Sequence, residues 1–261
     1  MLDVQSVLIS HRITQIYENP FPLFYVDNFL PIEIYSQIVS SFPKPEQFAE
    51  GEKFTDGKLF LAKQDYVKYA EEFPIFRKLE KVLNTDAFFV DLGKVCKNNV
   101  VKSRSKKFSG KWATRSNPWR KTKLFGNLYA PIRGIRLEIS SLPHGAKFPL
   151  HTDSSRKIVS LLLYIMPENW ESDFSGGTAF YFPKNNHLQA KYSNWENRKL
   201  RVDEEAEFQD ECDLVQYVDY RANRLVGFVK TDLTYHKIPE IRCVHGCQRG
   251  SLNINLMGDR Q

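Results

Sequence analysis

The chain has 261 residues, 42% of them hydrophobic and 26% charged, with a formal net charge of +6, an ordinary composition for a globular protein with a sizeable core. No apolar run approaches the roughly 20 residues of a helical membrane span. The first residues lack the basic-then-apolar order of a secretory signal, so a cytoplasmic protein is expected, a compartment that also suits four cysteines too few to staple such a chain.

Residues 1–23 show no clear period. Phe24, Tyr25 and Val26 predict a short strand. Asn28 is placed to cap a helix with Pro31 in its first turn. Tyr35, Ile38, Val39 and Phe42 then recur at i, i+3, i+4 and i+7, the stripe of an amphipathic helix that Pro43 and Pro45 end. A second stripe runs through Ile75, Phe76, Leu79, Val82 and Leu83, and a third through Phe88, Phe89, Leu92, Val95 and Cys96. Such stripes pack against a sheet and carry no chemistry.

Lys94 to Lys123 concentrates the excess positive charge and interleaves it with Phe108, Trp112 and Trp119. This pattern suits an anionic partner, or a solvated loop punctuated by Ser, Asn, Gly and Pro. The loop, or a cover over a site, is preferred because no spacing there matches a nucleic-acid module. Neither a nucleic-acid nor a membrane partner is expected.

Beyond this stretch the pattern becomes extended. Arg136 to Ser140 alternates with period two, Pro143-His144-Gly145 makes a turn, and Phe148 to Asp153 begins another strand. Lys157 to Ile165 is a hydrophobic strand. Residues 183–220 are polar and weakly periodic and read as an insertion. In Arg249 to Leu256, Arg249, Ser251, Asn253 and Asn255 share one face, and Leu252, Ile254 and Leu256 the other. Helices followed by strands predict an α+β layout with helices on one face of a β structure. No linker divides the chain. One domain is expected over 1–261, with a helical part and basic loop over 1–125 and a β core over 126–261.

His151-Thr152-Asp153 carries the chemistry. On an extended backbone, side chains at i and i+2 point the same way, so an imidazole nitrogen and a carboxylate aim at one point. A third nitrogen ligand would complete a two-histidine, one-carboxylate site suited to ferrous iron. His236 is the candidate, and Arg249 is the candidate for gripping an acidic co-substrate. The run Cys243-Val244-His245-Gly246-Cys247 reads as structural, since its spacing is not a usual zinc pattern and no second pair closes a tetrahedral site.

His151-Thr152-Asp153, the strand Lys157 to Ile165, Asn169-Trp170, Ser175-Gly176-Gly177-Thr178, Asn223-Arg224-Leu225, His236 and Arg249-Gly250-Ser251 follow one another in an order that resembles the iron(II)/2-oxoglutarate-dependent dioxygenases. The likeness is to the branch containing the prolyl hydroxylases, and it spans Gly134 to Leu256. Val26-Asp27-Asn28-Phe29-Leu30-Pro31 is similar to the opening of many members. The resemblance implies a double-stranded β-helix, or jelly-roll, core with N-terminal helices packed on one sheet. It implies iron ligation by His151, Asp153 and a distal histidine. His236 is chosen over His245 because it leaves chain for one strand to end and the next to begin, through a hairpin connection over 240–248.

By the same resemblance, Arg249 and Ser251 bind the distal carboxylate of 2-oxoglutarate. Tyr164 either contacts that carboxylate or serves as a core aromatic, and the two readings are level. Arg136 and Glu138 face the substrate end. Iron(II), 2-oxoglutarate and O2 are the implied cofactors, with ascorbate a candidate reductant. The implied reaction is hydroxylation of an unactivated C–H bond in a small molecule or a peptidyl, prolyl-type residue, with release of succinate and CO2. Halogenating relatives lack the carboxylate ligand so that chloride can bind iron, and Asp153 sets this chain apart from them. The alternative is a catalytically silent jelly-roll protein that binds or senses.

Overall fold

The computed structural model describes residues 2–48, 52–53, 57–96, 100–101, 106–107, 132–171, 175–193, 200, 202–243 and 246–258. Most of the basic stretch 94–123 lies outside them, as does His245.

The chain opens with β1 (Gln15–Tyr17) and β2 (Leu23–Val26), then α1 (Ile32–Ser40). Pro31 occupies the cap of α1, and Asn28 sits in a left-handed conformation at φ 51°. Asn28 therefore turns the chain ahead of the helix and does not cap it, a use open to a residue that tolerates positive φ. Next come β3 (Glu52–Lys53), β4 (Leu59–Leu61), α2 (Lys63–Glu72), α3 (Pro74–Leu83) and α4 (Asp86–Val95). α3 and α4 carry the second and third apolar stripes. Pro74 starts α3, where its missing N–H costs little, and Thr85 Oγ1 accepts from the Phe88 N–H to cap α4. α2 buries only Tyr66, Tyr69 and Ala70, too sparse a face for periodicity to reveal.

The short pair β5 (Val100–Val101) and β6 (Lys106–Lys107) precedes the main strands β7 (Ile132–Pro143), β8 (Phe148–His151), β9 (Lys157–Ile165) and β10 (Thr178–Pro183). After these come α5 (Asn186–Tyr192), α6 (Val202–Glu211), β11 (Cys212–Val218), β12 (Leu225–Val229), β13 (Tyr235–Ile238) and β14 (Gln248–Gly258). An eight-stranded sheet has the order β1-β2-β12-β9-β14-β7-β4-β3, and a four-stranded sheet the order β11-β10-β13-β8. Their pairings are antiparallel.

Period-two alternation in the three central strands divides the large sheet into two unlike faces. Leu137 and Ile139 of β7, Leu161 and Leu163 of β9, and Leu252, Ile254 and Leu256 of β14 join the helices in one apolar core. The opposite face carries Glu138 and Ser140, Ser160, and Arg249, Ser251, Asn253 and Asn255, all of them buried. Buried polar side chains on a shared face must bond one another or a ligand. On the smaller sheet, α5 and α6 close over Leu150 and Tyr235 through Tyr192 and Phe208.

Two expectations are corrected. Residues 183–220 are not one insertion, because β11 pairs along β10 as the edge of the smaller sheet. Only residues 184–211 intervene, and they include α5 and α6. Nor is 240–248 a hairpin connection, since β13 belongs to the smaller sheet and β14 to the larger one. The segment carries the chain between sheets, which explains why it is long.

Candidate metal centre

β8 and β13 are antiparallel neighbours, and His151 and His236 are direct cross-strand partners in their register. Cross-strand partners project to the same side of a sheet, and here the two rings lie 4.2 Å apart between centroids. His151 Nδ1 lies 2.9 Å from the Pro149 carbonyl oxygen, and His236 Nδ1 lies 3.1 Å from that of Thr234. A carbonyl can only accept, so each Nδ1 carries the proton and donates it. Each Nε2 is left with its lone pair, the form in which imidazole binds metal.

Asp153 lies two residues beyond the end of β8. One ligand atom from each of His151, Asp153 and His236 falls within 4.8 Å of the others. Lys157 Nζ donates to Asp153 Oδ1 at 2.7 Å, and Ser160 Oγ to Oδ2 at 2.5 Å. Both donors belong to β9, so the larger sheet fixes the carboxylate while the smaller one holds the imidazoles. Burial, followed for His151 by the neighbouring His236, pushes both imidazoles below their ordinary pKa. Burial alone would raise the Asp153 carboxyl. Lys157 and the two histidines outweigh it and hold the group well below the usual carboxylate range. Two neutral imidazoles and one carboxylate form a donor set that suits a ferrous ion.

Arg249 is 1% exposed. Its Nε donates to the Gly176 carbonyl oxygen, and its two other nitrogens reach Ser251 Oγ and Thr178 Oγ1 only at 3.4 Å. The guanidinium lies over the rings of Tyr164 and Tyr220, at 4.9 and 5.4 Å. Among the described residues no carboxylate pairs with it. A buried cation without an anionic partner is costly, so this one is poised for an acidic ligand. Tyr164 packs among the inter-sheet aromatics, and its hydroxyl lies 2.7 Å from Thr178 Oγ1 beside Arg249. Ser251 Oγ donates to Asn253 Oδ1 at 3.3 Å, continuing a polar line along β14.

Asn253 reaches a cavity of about 480 Å³ that is also lined by His151, Asp153, Lys157, Glu138, Arg136, Phe148 and Lys58. Arg136 Nη2 lies 2.6 Å from Glu138 Oε1, and Asn255 Nδ2 donates to Glu138 Oε2 at 2.8 Å. Sequence reasoning placed Arg136 and Glu138 near the substrate end but missed Lys157, Ser160 and Lys58. Lys157 and Ser160 carry a usable signal, because they follow Asp153 on the next strand. Lys58 carries none, since it comes from the distant turn that precedes β4.

No family model matches the sequence, and no curated protein matches it. Structural neighbours include two prolyl hydroxylases, HygX with 2-oxoglutarate bound, and an alpha ketoglutarate dependent epimerase. The non-heme alpha ketoglutarate dependent epimerase SnoN from nogalamycin biosynthesis superposes with a TM-score of 0.51 at 11% identity, over 98% of this chain and 83% of its own. A prolyl hydroxylase from Trichoplax adhaerens, in complex with a hypoxia inducible factor peptide, gives 0.48 at 13% identity over 97% and 89%. HygX from Streptomyces hygroscopicus, with nickel and 2-oxoglutarate bound, gives 0.46 at 11% over 99% and 88%. At such identities the likeness concerns the fold alone, and the SnoN superposition carries it: this chain has the fold of that epimerase.

Proposed function

We propose that the protein is a non-haem iron(II)- and 2-oxoglutarate-dependent oxygenase, built on a double-stranded β-helix. In this reading it hydroxylates an unactivated C–H bond of a small molecule or a peptidyl, prolyl-type residue. The observation that carries the proposal is the convergence of two Nδ1-protonated histidines and one carboxylate between the two sheets. His151, Asp153 and His236 are the metal ligands. Arg249, with Ser251 and Tyr164, receives the distal carboxylate of 2-oxoglutarate.

Bound iron(II), with 2-oxoglutarate and O2, supplies the oxidising chemistry and releases succinate and CO2. The protein's own residues supply position. The Pro149 and Thr234 carbonyls fix the imidazole tautomers. Lys157 and Ser160 hold the carboxylate in its charged form. Arg249 matches a carboxylate with a rigid donor fork, and the Tyr164 and Tyr220 rings pack against it.

The test is succinate formation by protein supplied with iron(II), 2-oxoglutarate and O2. The wild type is expected to form succinate slowly without any added substrate, and Asp153→Ala to form none. Succinate at the same rate in the two proteins, or none in either, removes the proposal; iron and 2-oxoglutarate binding without succinate would favour a silent binding protein.

A further inference from the structure

The wall of the candidate site carries a charge that the metal reading does not use. Four cations and two carboxylates line the 480 Å³ cavity: Lys58, Lys63, Arg136 and Lys157 against Glu138 and Asp153. Both carboxylates are already engaged, Asp153 by Lys157 and Ser160, and Glu138 by Arg136 and Asn255. Lys58 is half-buried, and among the described residues no carboxylate pairs with it. Its Nζ instead sits over the rings of Phe148, at 4.2 Å, and Phe60, at 5.3 Å. Aromatic faces steady an ammonium but do not neutralise it.

The backbone aims this side chain deliberately. Gly57, just before it, has φ 81°, and a Cβ there would lie 3.1 Å from Ala146 Cβ, so the turn is held against the loop that leads into β8. Phe148 in turn meets His151 edge-on, with ring centroids 4.7 Å apart. The ammonium is thus one aromatic ring away from a proposed metal ligand. In the same wall Arg136 Nε is buried and has no hydrogen-bond partner. Burial, followed by repulsion from Lys157, pushes Lys58 down to about 7, so a bound carboxylate would favour its charged form at neutral pH.

We propose that the substrate carries a carboxylate, which Lys58 grips at the mouth of the cavity beside the oxidised carbon. One uncompensated ammonium matches one negative charge, and the flanking Phe60 and Phe148 rings suit an apolar body next to it. The proposal deepens the oxygenase reading and rests on it for what happens to the bound molecule, but not for the binding itself.

The test is therefore made on the full chain kept metal-free with a chelator, by calorimetric titration of two matched probe pairs. N-acetyl-leucine against its primary amide presents a terminal carboxylate. N-acetyl-glutamate methylamide against N-acetyl-glutamine methylamide presents a side-chain carboxylate. In the wild type, at least one acid should bind about tenfold more tightly than its amide, the loss of one charge-assisted bond. Lys58→Met and Lys58→Gln should bring the two to within about twofold, and Lys58→Arg should keep the preference. Arg249→Met should keep it too, which separates this seat from the 2-oxoglutarate one. A preference confined to one pair tells a free acid from an acidic side chain. The proposal is overturned if acid and amide bind the wild type alike, if neither binds below about 10 mM, or if both folded Lys58 variants keep the preference. Failure of iron to bind would overturn the oxygenase reading and leave this result standing.

Discussion

Replacing Arg249 by methionine separates a structural cation from one kept for a ligand. Methionine fills much of the same volume without charge. What the metal-free protein loses is the Nε bond to the Gly176 carbonyl, because the contacts to Ser251 and Thr178 are long, at 3.4 Å. Losing that bond costs about 1–3 kcal/mol. Relief of a buried, unpaired charge returns a similar amount. The metal-free variant should therefore unfold within a few degrees of the wild type. Binding of 2-oxoglutarate should respond very differently. Truncating one side of a buried, hydrogen-bonded charge pair costs about 2–5 kcal/mol, or about thirtyfold to a few thousandfold in Kd. The assay is titration of 2-oxoglutarate into manganese-loaded protein under nitrogen, with manganese retention read by electron paramagnetic resonance. Unchanged manganese binding with weakened 2-oxoglutarate is the expected result. A Kd within about threefold of the wild type, or a collapse in thermal stability with intact affinity, would refute the assignment.

Further outcomes follow from the same geometry. His151 and His236 are pushed below the ordinary imidazole pKa of about 6.5, so just below that pH the unfolded chain binds more protons than the native one. Stability of the metal-free protein should thus fall as pH drops below about 6.5. His236→Gln should flatten this dependence, and a wild-type thermal midpoint that holds steady from pH 7.5 to 5.5 would contradict the buried, neutral imidazoles. Gly227 lies where a Cβ would meet Phe24 Cζ at 2.2 Å and Leu161 Cδ2 at 2.7 Å. Gly227→Ala should cost about 1–3 kcal/mol by overpacking, seen as a lower thermal midpoint with metal binding retained. An unchanged midpoint would show that β2 and β9 give way there.

What the sequence discloses follows from how local each signal is. His151 and Asp153 are two residues apart, so extended geometry alone aims them together. The two faces of β14 are legible because strict alternation from Arg249 to Leu256 leaves little choice. β11 is hidden because it is an edge strand buried only at its two end residues, and its sequence shows no clean apolar alternation. The crossing from β13 to β14 is hidden because chain length alone does not distinguish a turn within one sheet from a passage between two. Lys58 is out of reach for a related reason: it lies in the turn before β4 of one sheet and approaches Phe148 of the other, and no pattern within either segment records it.

β9 touches both halves of the proposed site: Ser160 bonds Asp153, and four residues on, on the same face, Tyr164 lies under the Arg249 guanidinium. Four residues of extended chain span about 13 Å. The strand therefore works as a ruler whose graduations are peptide units, too coarse and too stiff to stretch by a methylene. If 2-oxoglutarate binds as proposed, the spacing between the metal ligands and the Arg249 seat is set by backbone pitch, which does not adjust to a dicarboxylate one carbon longer or shorter.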